Sequence, residues 1–121
     1  MTRLLALLLL SPVIAFAGPA DFPEGSAAPG APDIQQRLSG RTFDIRLADD
    51  TQCHVRYGNN GDYDFKSSQG FTDHGDWKAG DGRICSKGRK IPHACNDVRV
   101  KGDDLYLTRD NGEIIQFVES H

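Results

Sequence analysis

The residues best suited to chemistry in this chain are three cysteines and four histidines. Cys85 and Cys95 flank a loop, residues 86–92, that is rich in Lys and Gly. If that loop joins two adjacent antiparallel strands, the thiols lie opposite each other. Strand alternation then puts both on the face away from Ile84 and Val98. Facing residues on paired strands satisfy disulfide geometry, and in an oxidising compartment the bridge is the default. Closing a loop of this length contributes roughly 2–3 kcal/mol in the chain-entropy picture. Cys53 falls on an apolar face with Val55 and Tyr57 and reads as a buried thiol packed as a small hydrophobe. The alternatives are an intermolecular disulfide or a reactive thiol. The latter needs exposure and a nearby positive charge, and the neighbouring His54 points to the opposite face.

His54, His74, His93, Cys85 and Cys95 are all soft or borderline metal ligands. His93 and Cys95 are two apart and can share a face. However, there is no Cys-x-x-Cys and no His-x-x-x-His in the sequence, and a bridged cysteine pair is a poor ligand set. The expectation is therefore no metal and no cofactor, with His54, His74 and His93 as weak candidates. The run from Asn59 to Asp64 carries alternating oxygen ligands around Gly61, but it lacks the closing glutamate of a calcium loop and reads as a hairpin turn. Lys87, Arg89 and Lys90, with Lys78 and Arg83 nearby, form a candidate partner-binding loop for an anionic group or an acidic protein face. Trp77 is a candidate aromatic wall for a ligand pocket in a barrel mouth, against its simpler role as core. No nucleophile elbow, phosphate-cradling loop or paired acid–base carboxylates are evident, so no catalytic residue is assigned and the chain reads as non-enzymatic.

The elements that must position these groups follow a period of two. Phe43, Ile45 and Leu47 alternate with polar residues, as do Cys53, Val55 and Tyr57, then Tyr63 and Phe65, then Gly75 and Trp77. Further short strands centre on Ile84, Val98–Val100, Leu105–Leu107 and Ile114–Val118. Such alternation marks strands with one buried and one wet face. Turn residues recur between them: Asp49-Asp50, Asn60-Gly61, Asp81-Gly82, Gly102-Asp103 and Asn111-Gly112. About eight short strands without helical crossovers predict an all-β antiparallel up-and-down meander, closed as a small barrel or left as a curled sheet. Asp33 is placed to cap a short helical turn through Leu38, ended at Gly40.

Arg3, the apolar run from Leu4 to Leu10 and the small residues Ala15 and Ala17 fit an export signal over residues 1–17. Residues 18–32 are rich in Pro, Gly and Ala and read as a flexible linker. Residues 33–121 form a single β domain, in a mature chain of about 100 residues. Export implies a periplasmic or secreted protein. The net charge of −3 is mildly acidic, which argues against nucleic acid as a partner. Beyond the signal no apolar run reaches the roughly 20 residues of a membrane span. The chain is expected to be a monomer.

The segment from Asp73 to Trp77, then Asp81 to Cys85, then Cys95 to Val98, resembles small exported proteobacterial β domains of unknown function. Leu38 to Phe43 and Asp110 to Ile114 fit the same pattern, so the resemblance spans about residues 38–118. It implies a calycin-like or half-barrel β fold and a Cys85–Cys95 bridge, and it implies no activity. The function expected is an exported, non-enzymatic β domain that binds a small ligand or protein partner in the cell envelope. The alternatives are a periplasmic protein inhibitor, of the kind that blocks lysozyme, or a metal-binding module using His and Cys.

Overall fold

A computed structural model describes residues 21–120. The export signal expected over residues 1–17 lies outside them. Helix α1 (Ala31–Leu38) precedes eight strands: β1 (Arg41–Arg46), β2 (Gln52–Tyr57), β3 (Asp62–Ser67), β4 (Thr72–Gly80), β5 (Arg83–Gly88), β6 (Ala94–Lys101), β7 (Asp104–Thr108) and β8 (Ile114–Glu119). Each strand pairs antiparallel with the next, and β8 returns to β1, closing an up-and-down barrel. The expected all-β meander is thus present, and it closes.

The inward residues are those the alternation marks: Phe43, Ile45, Cys53, Val55, Tyr57, Tyr63, Trp77, Ile84, Val98, Leu105, Ile115 and Phe117 form one buried cluster. Closure removes the open strand edges that a sheet of this size must otherwise protect. One end of the barrel is stoppered by α1. Ile34 and Leu38, one helical turn apart, are both 0% exposed and project from the same face of the helix into the barrel.

The helix begins three residues earlier than the sequence suggests, and its cap comes from elsewhere. Gly30 occupies the capping position without a side-chain bond. The orphan N–H of Ala31 donates instead to Asp81 Oδ1 at 2.9 Å, from the β4–β5 turn. Pro32 suits the first helical turn, where no N–H is required. Asp33, expected as the cap, pairs with Arg37 at 3.0 Å.

Part of the stretch expected as a flexible linker over residues 18–32 is held to the barrel by backbone bonds. Residues 21–30 lie against the barrel as a strap. Ala27 exchanges two 2.8 Å backbone bonds with Val100, and Pro29 accepts from Gly82 N–H at 2.7 Å. The Arg99 guanidinium sits 5.1 Å over the Phe22 ring. The cause is backbone demand. β6 pairs with β5 only through Asp97, so the N–H and C=O of Val100 need another partner, and Ala27 supplies it.

Gly75 of β4 lies against the backbone of β5, opposite Gly88. A Cβ there would lie 2.0 Å from the Lys87 carbonyl oxygen, so any side chain forces the strands apart. Gly75→Ala is expected to destabilise the barrel by about 1–3 kcal/mol, the usual cost of overpacking. Thermal melting of the two proteins checks this, and an unchanged midpoint would show that the pair has room to spread.

Candidate functional site

The end of the barrel opposite α1 is open. It leads into a cavity of about 380 Å³ walled by Ile45, Val55, Tyr57, Tyr63, Ile115 and Phe117. Asn96, Arg109, Asp110 and Asn111 bring polar groups to its lining. Asn96 Nδ2 donates to the Thr108 carbonyl at 3.0 Å and to Asp110 Oδ1 at 2.8 Å. Arg109 is held by Glu113, whose other oxygen accepts from Ala48 N–H at 2.6 Å. The β7–β8 and β1–β2 loops are thereby tied together at the mouth. Tyr57 stacks on Phe117 at 6.1 Å and meets Phe43 and Trp77 edge-on, so the aromatic wall is braced from behind. Burial pushes the Tyr57 hydroxyl well above its ordinary range, which keeps it a neutral hydrogen-bonding group.

Trp77, expected to be that wall, does not line the cavity. It lies one layer deeper, toward the stoppered end, where its indole N–H donates to the Gly58 carbonyl at 3.0 Å and its ring packs 5.0 Å from Tyr57. Tyr57, Tyr63, Phe65 and Phe117 take the role. The sequence does mark them, since each occupies an inward parity position on its strand, but parity alone does not say how deep a residue sits.

Asp73 is a buried charge that the sequence reading does not single out. It is 7% exposed and turns inward beside the mouth. Its Oδ1 accepts from the N–H groups of Arg89 at 3.1 Å and Lys90 at 3.0 Å, and its Oδ2 accepts from Ile91 N–H at 3.0 Å. Burial works to raise this carboxyl, but the backbone donors of Ile91, Lys90, His74 and Arg89 outweigh it and hold it below the usual carboxylate range. Tyr63 reaches the same carboxylate with its hydroxyl, and burial there raises the phenol first, followed by the Asp73 charge. Gly88 makes room for the arrangement, since a Cβ at that position would fall 1.8 Å from Asp73 Oδ2. The loop after β5 is therefore pinned by one buried charge.

That loop carries Arg89 and Lys90 along the outer wall of the barrel. There they join His54, Arg56, Lys66 and His74 around a groove of about 620 Å³. Lys87 and Arg89 share a smaller cleft with His74 and Asp76. The three loop cations expected from the sequence thus border one continuous face. Its charge is partly spent internally, because Arg56 bridges Asp62, at 2.6 Å, and Asp64. His74 Nδ1 lies 2.7 Å from Asp64, and His54 pairs with Asp44.

His54 and His74 stand on β2 and β4 with β3 between them, so they do not converge as ligands. Among the described residues, the cluster of potential ligands that does converge is Cys85, His93 and Cys95. Cys85 and Cys95 are directly paired across β5 and β6 and joined as a disulfide. Cys53 is 2% exposed, a free thiol inside the barrel whose pKa burial pushes up. These are the conditions of an inert thiol, not a nucleophile.

Comparison with protein-family models, with characterised proteins and with solved structures found no match for this chain. Among the described residues no helix is long and apolar enough to cross a membrane.

Proposed function

We propose that this protein is an exported, non-enzymatic, calycin-like barrel that holds one small, largely apolar ligand in its open mouth, acting as a monomer in the periplasm or outside the cell. The observation that carries the proposal is a barrel stoppered at one end by α1 and open at the other onto a mostly apolar cavity of about 380 Å³. Binding sites for small molecules are concave and largely apolar, with a few placed polar groups, at volumes of about 300–1,000 Å³. Eight strands enclose an interior just wide enough for side chains or one small ligand. The signal-like residues 1–17 and the Cys85–Cys95 bridge support export.

A neutral fluorescent naphthylamine, N-phenyl-1-naphthylamine, tests the reading without drawing on surface charge. The folded protein should bind one equivalent with enhanced emission. Ala94 lines the mouth, and Ala94→Trp should fill it, lowering dye affinity at least about tenfold while the fold is retained, a difference of about 1.4 kcal/mol. Unchanged binding by a folded Ala94→Trp protein would remove the mouth as the site.

A second reading rests on the Asp73 clamp. A loop held at three consecutive backbone N–H groups presents Lys87, Arg89 and Lys90 with little ordering cost on contact, as inhibitor loops do. In this reading the protein is an envelope inhibitor that docks on an acidic protein face, such as the cleft of a lysozyme. Loss of a partner on replacing all three cations with alanine, with dye binding at the mouth intact, would favour it over the first.

A further inference from the structure

We propose that Cys85, His93 and Cys95 form a redox-gated site for copper(I), separate from the barrel mouth. The ligand atoms of these residues all lie within 4.8 Å of one another. Thiolate and imidazole ligands about 2.0–2.3 Å from a metal stand roughly 3.5–4 Å apart, so small side-chain rotations bring them into a coordination sphere. Cys85 and Cys95 face each other in register on β5 and β6, and the barrel fixes their backbones whether or not the sulfurs are bonded. His93 follows the segment that Asp73 pins at Arg89, Lys90 and Ile91, so the imidazole is delivered by an anchored loop.

The oxidised chain cannot use this site, because both sulfurs are committed to their shared bond. Opening it takes two electrons. A dithiol reductant attacks one sulfur, the S–S bond breaks, and the reductant leaves as its own disulfide. Each cysteine sulfur then carries a proton that the metal displaces on binding. Exposure makes such bonds accessible to reduction, and here Cys95 and His93 are exposed and Cys85 is half-buried.

The surroundings suit an anionic thiolate complex. Lys78 stands directly opposite Cys85 on β4, and Arg83 and Lys87 occupy the same face of β5 two residues to either side. Asp97 and Asp76 face Arg83 and Lys87 and offset part of that charge, whereas Lys78 has the cysteine itself as its partner in register. Neighbouring cations favour thiolate over thiol. Two thiolates and one imidazole are soft enough for copper(I). Among the described residues no fourth His, Cys, Asp or Glu joins the cluster to complete a structural zinc tetrahedron.

The test is an anaerobic titration with copper(I) against a coloured bicinchoninate competitor, using the full barrel either oxidised or reduced with a phosphine that leaves no thiol behind. Circular dichroism confirms the fold in each state. The reduced barrel should take one copper(I) and the oxidised barrel none. Losing even an outer partner of a metal ligand costs about 10–100-fold in affinity, so His93→Ala should weaken binding by at least tenfold, and Cys53→Ser should leave it unchanged. Equal binding by both redox states, undiminished binding by His93→Ala, preference for zinc over copper(I), or unfolding on reduction would each overturn the proposal. Dye binding at the mouth is a separate readout, so failure here leaves the ligand reading standing.

Discussion

Leu38→Ala is expected to lower the unfolding free energy by about 2–5 kcal/mol, the range for removing a buried leucine side chain when the cavity cannot collapse. Leu38 is 0% exposed and sits in the last turn of an eight-residue helix. A helix that short has little stability of its own. It stays in place because Ile34 and Leu38 fill the barrel end, helped by the Asp81 bond to Ala31 N–H. Removing one of the two anchors therefore costs packing energy and loosens the stopper as well. Urea unfolding should show a lower midpoint with little change in slope, the signature of lost stability without a change in the denatured state. The loosened stopper should also weaken naphthylamine binding, because the mouth would no longer be blind. A loss below about 1 kcal/mol would mean that α1 is a surface ornament and not the closure of the barrel.

Asp73→Asn is the second large effect. The carboxylate is the acceptor for Lys90 and Ile91 N–H, while Arg89 N–H is shared with the His74 carbonyl at 3.0 Å. An asparagine offers one carbonyl oxygen and places an NH₂ where the second carboxylate oxygen stood, so at least one backbone donor meets another donor. Hydrogen bonds to a charged group contribute about 1.5–3 kcal/mol each, and a stranded donor costs about 1–3 kcal/mol. The variant should lose about 2–4 kcal/mol, and amide exchange should accelerate at Lys90 and Ile91 ahead of the barrel strands.

The same clamp fixes a pH dependence. The folded pKa of Asp73 is lowered, so its stabilisation is present above the unfolded value of about 3.9 and is lost as pH falls below that toward the folded value. In the wild type the stability contributed by Asp73 should fall away below about pH 4, and Asp73→Asn should show a flatter acid limb. Parallel acid limbs would show that Asp73 titrates alike in both states.

The frame of this fold is legible in the sequence because a closed barrel imposes strict parity. Each strand buries its alternate residues, so Phe43 and Ile45, or Val55 and Tyr57, announce their own face. The Cys85–Cys95 register follows from the same rule, since Ile84 and Val98 fix the inward side. What stays hidden depends on the third dimension. Asp73 shares parity with Gly75 and Trp77, which is the one sequence signal that it turns inward, but an aspartate in a run containing His74 and Asp76 reads as wet until the loop it grips is in view. Trp77 has the right parity and the wrong depth. The strap at Ala27 is set by an unpaired stretch of β6 backbone, which has no side-chain signature. Asp81 caps α1 from 50 residues away, whereas local reasoning picks Asp33.

The central claim is that ligand enters the barrel and not the cationic groove on its wall. Amide chemical-shift mapping during titration with N-phenyl-1-naphthylamine separates the two most directly. Shifts centred on Ile45, Val55, Leu107 and Ile115, which line the mouth, are the predicted result. Shifts centred on His54, Arg56, Lys66 and His74, which line the groove, with the mouth residues unmoved, would contradict the account.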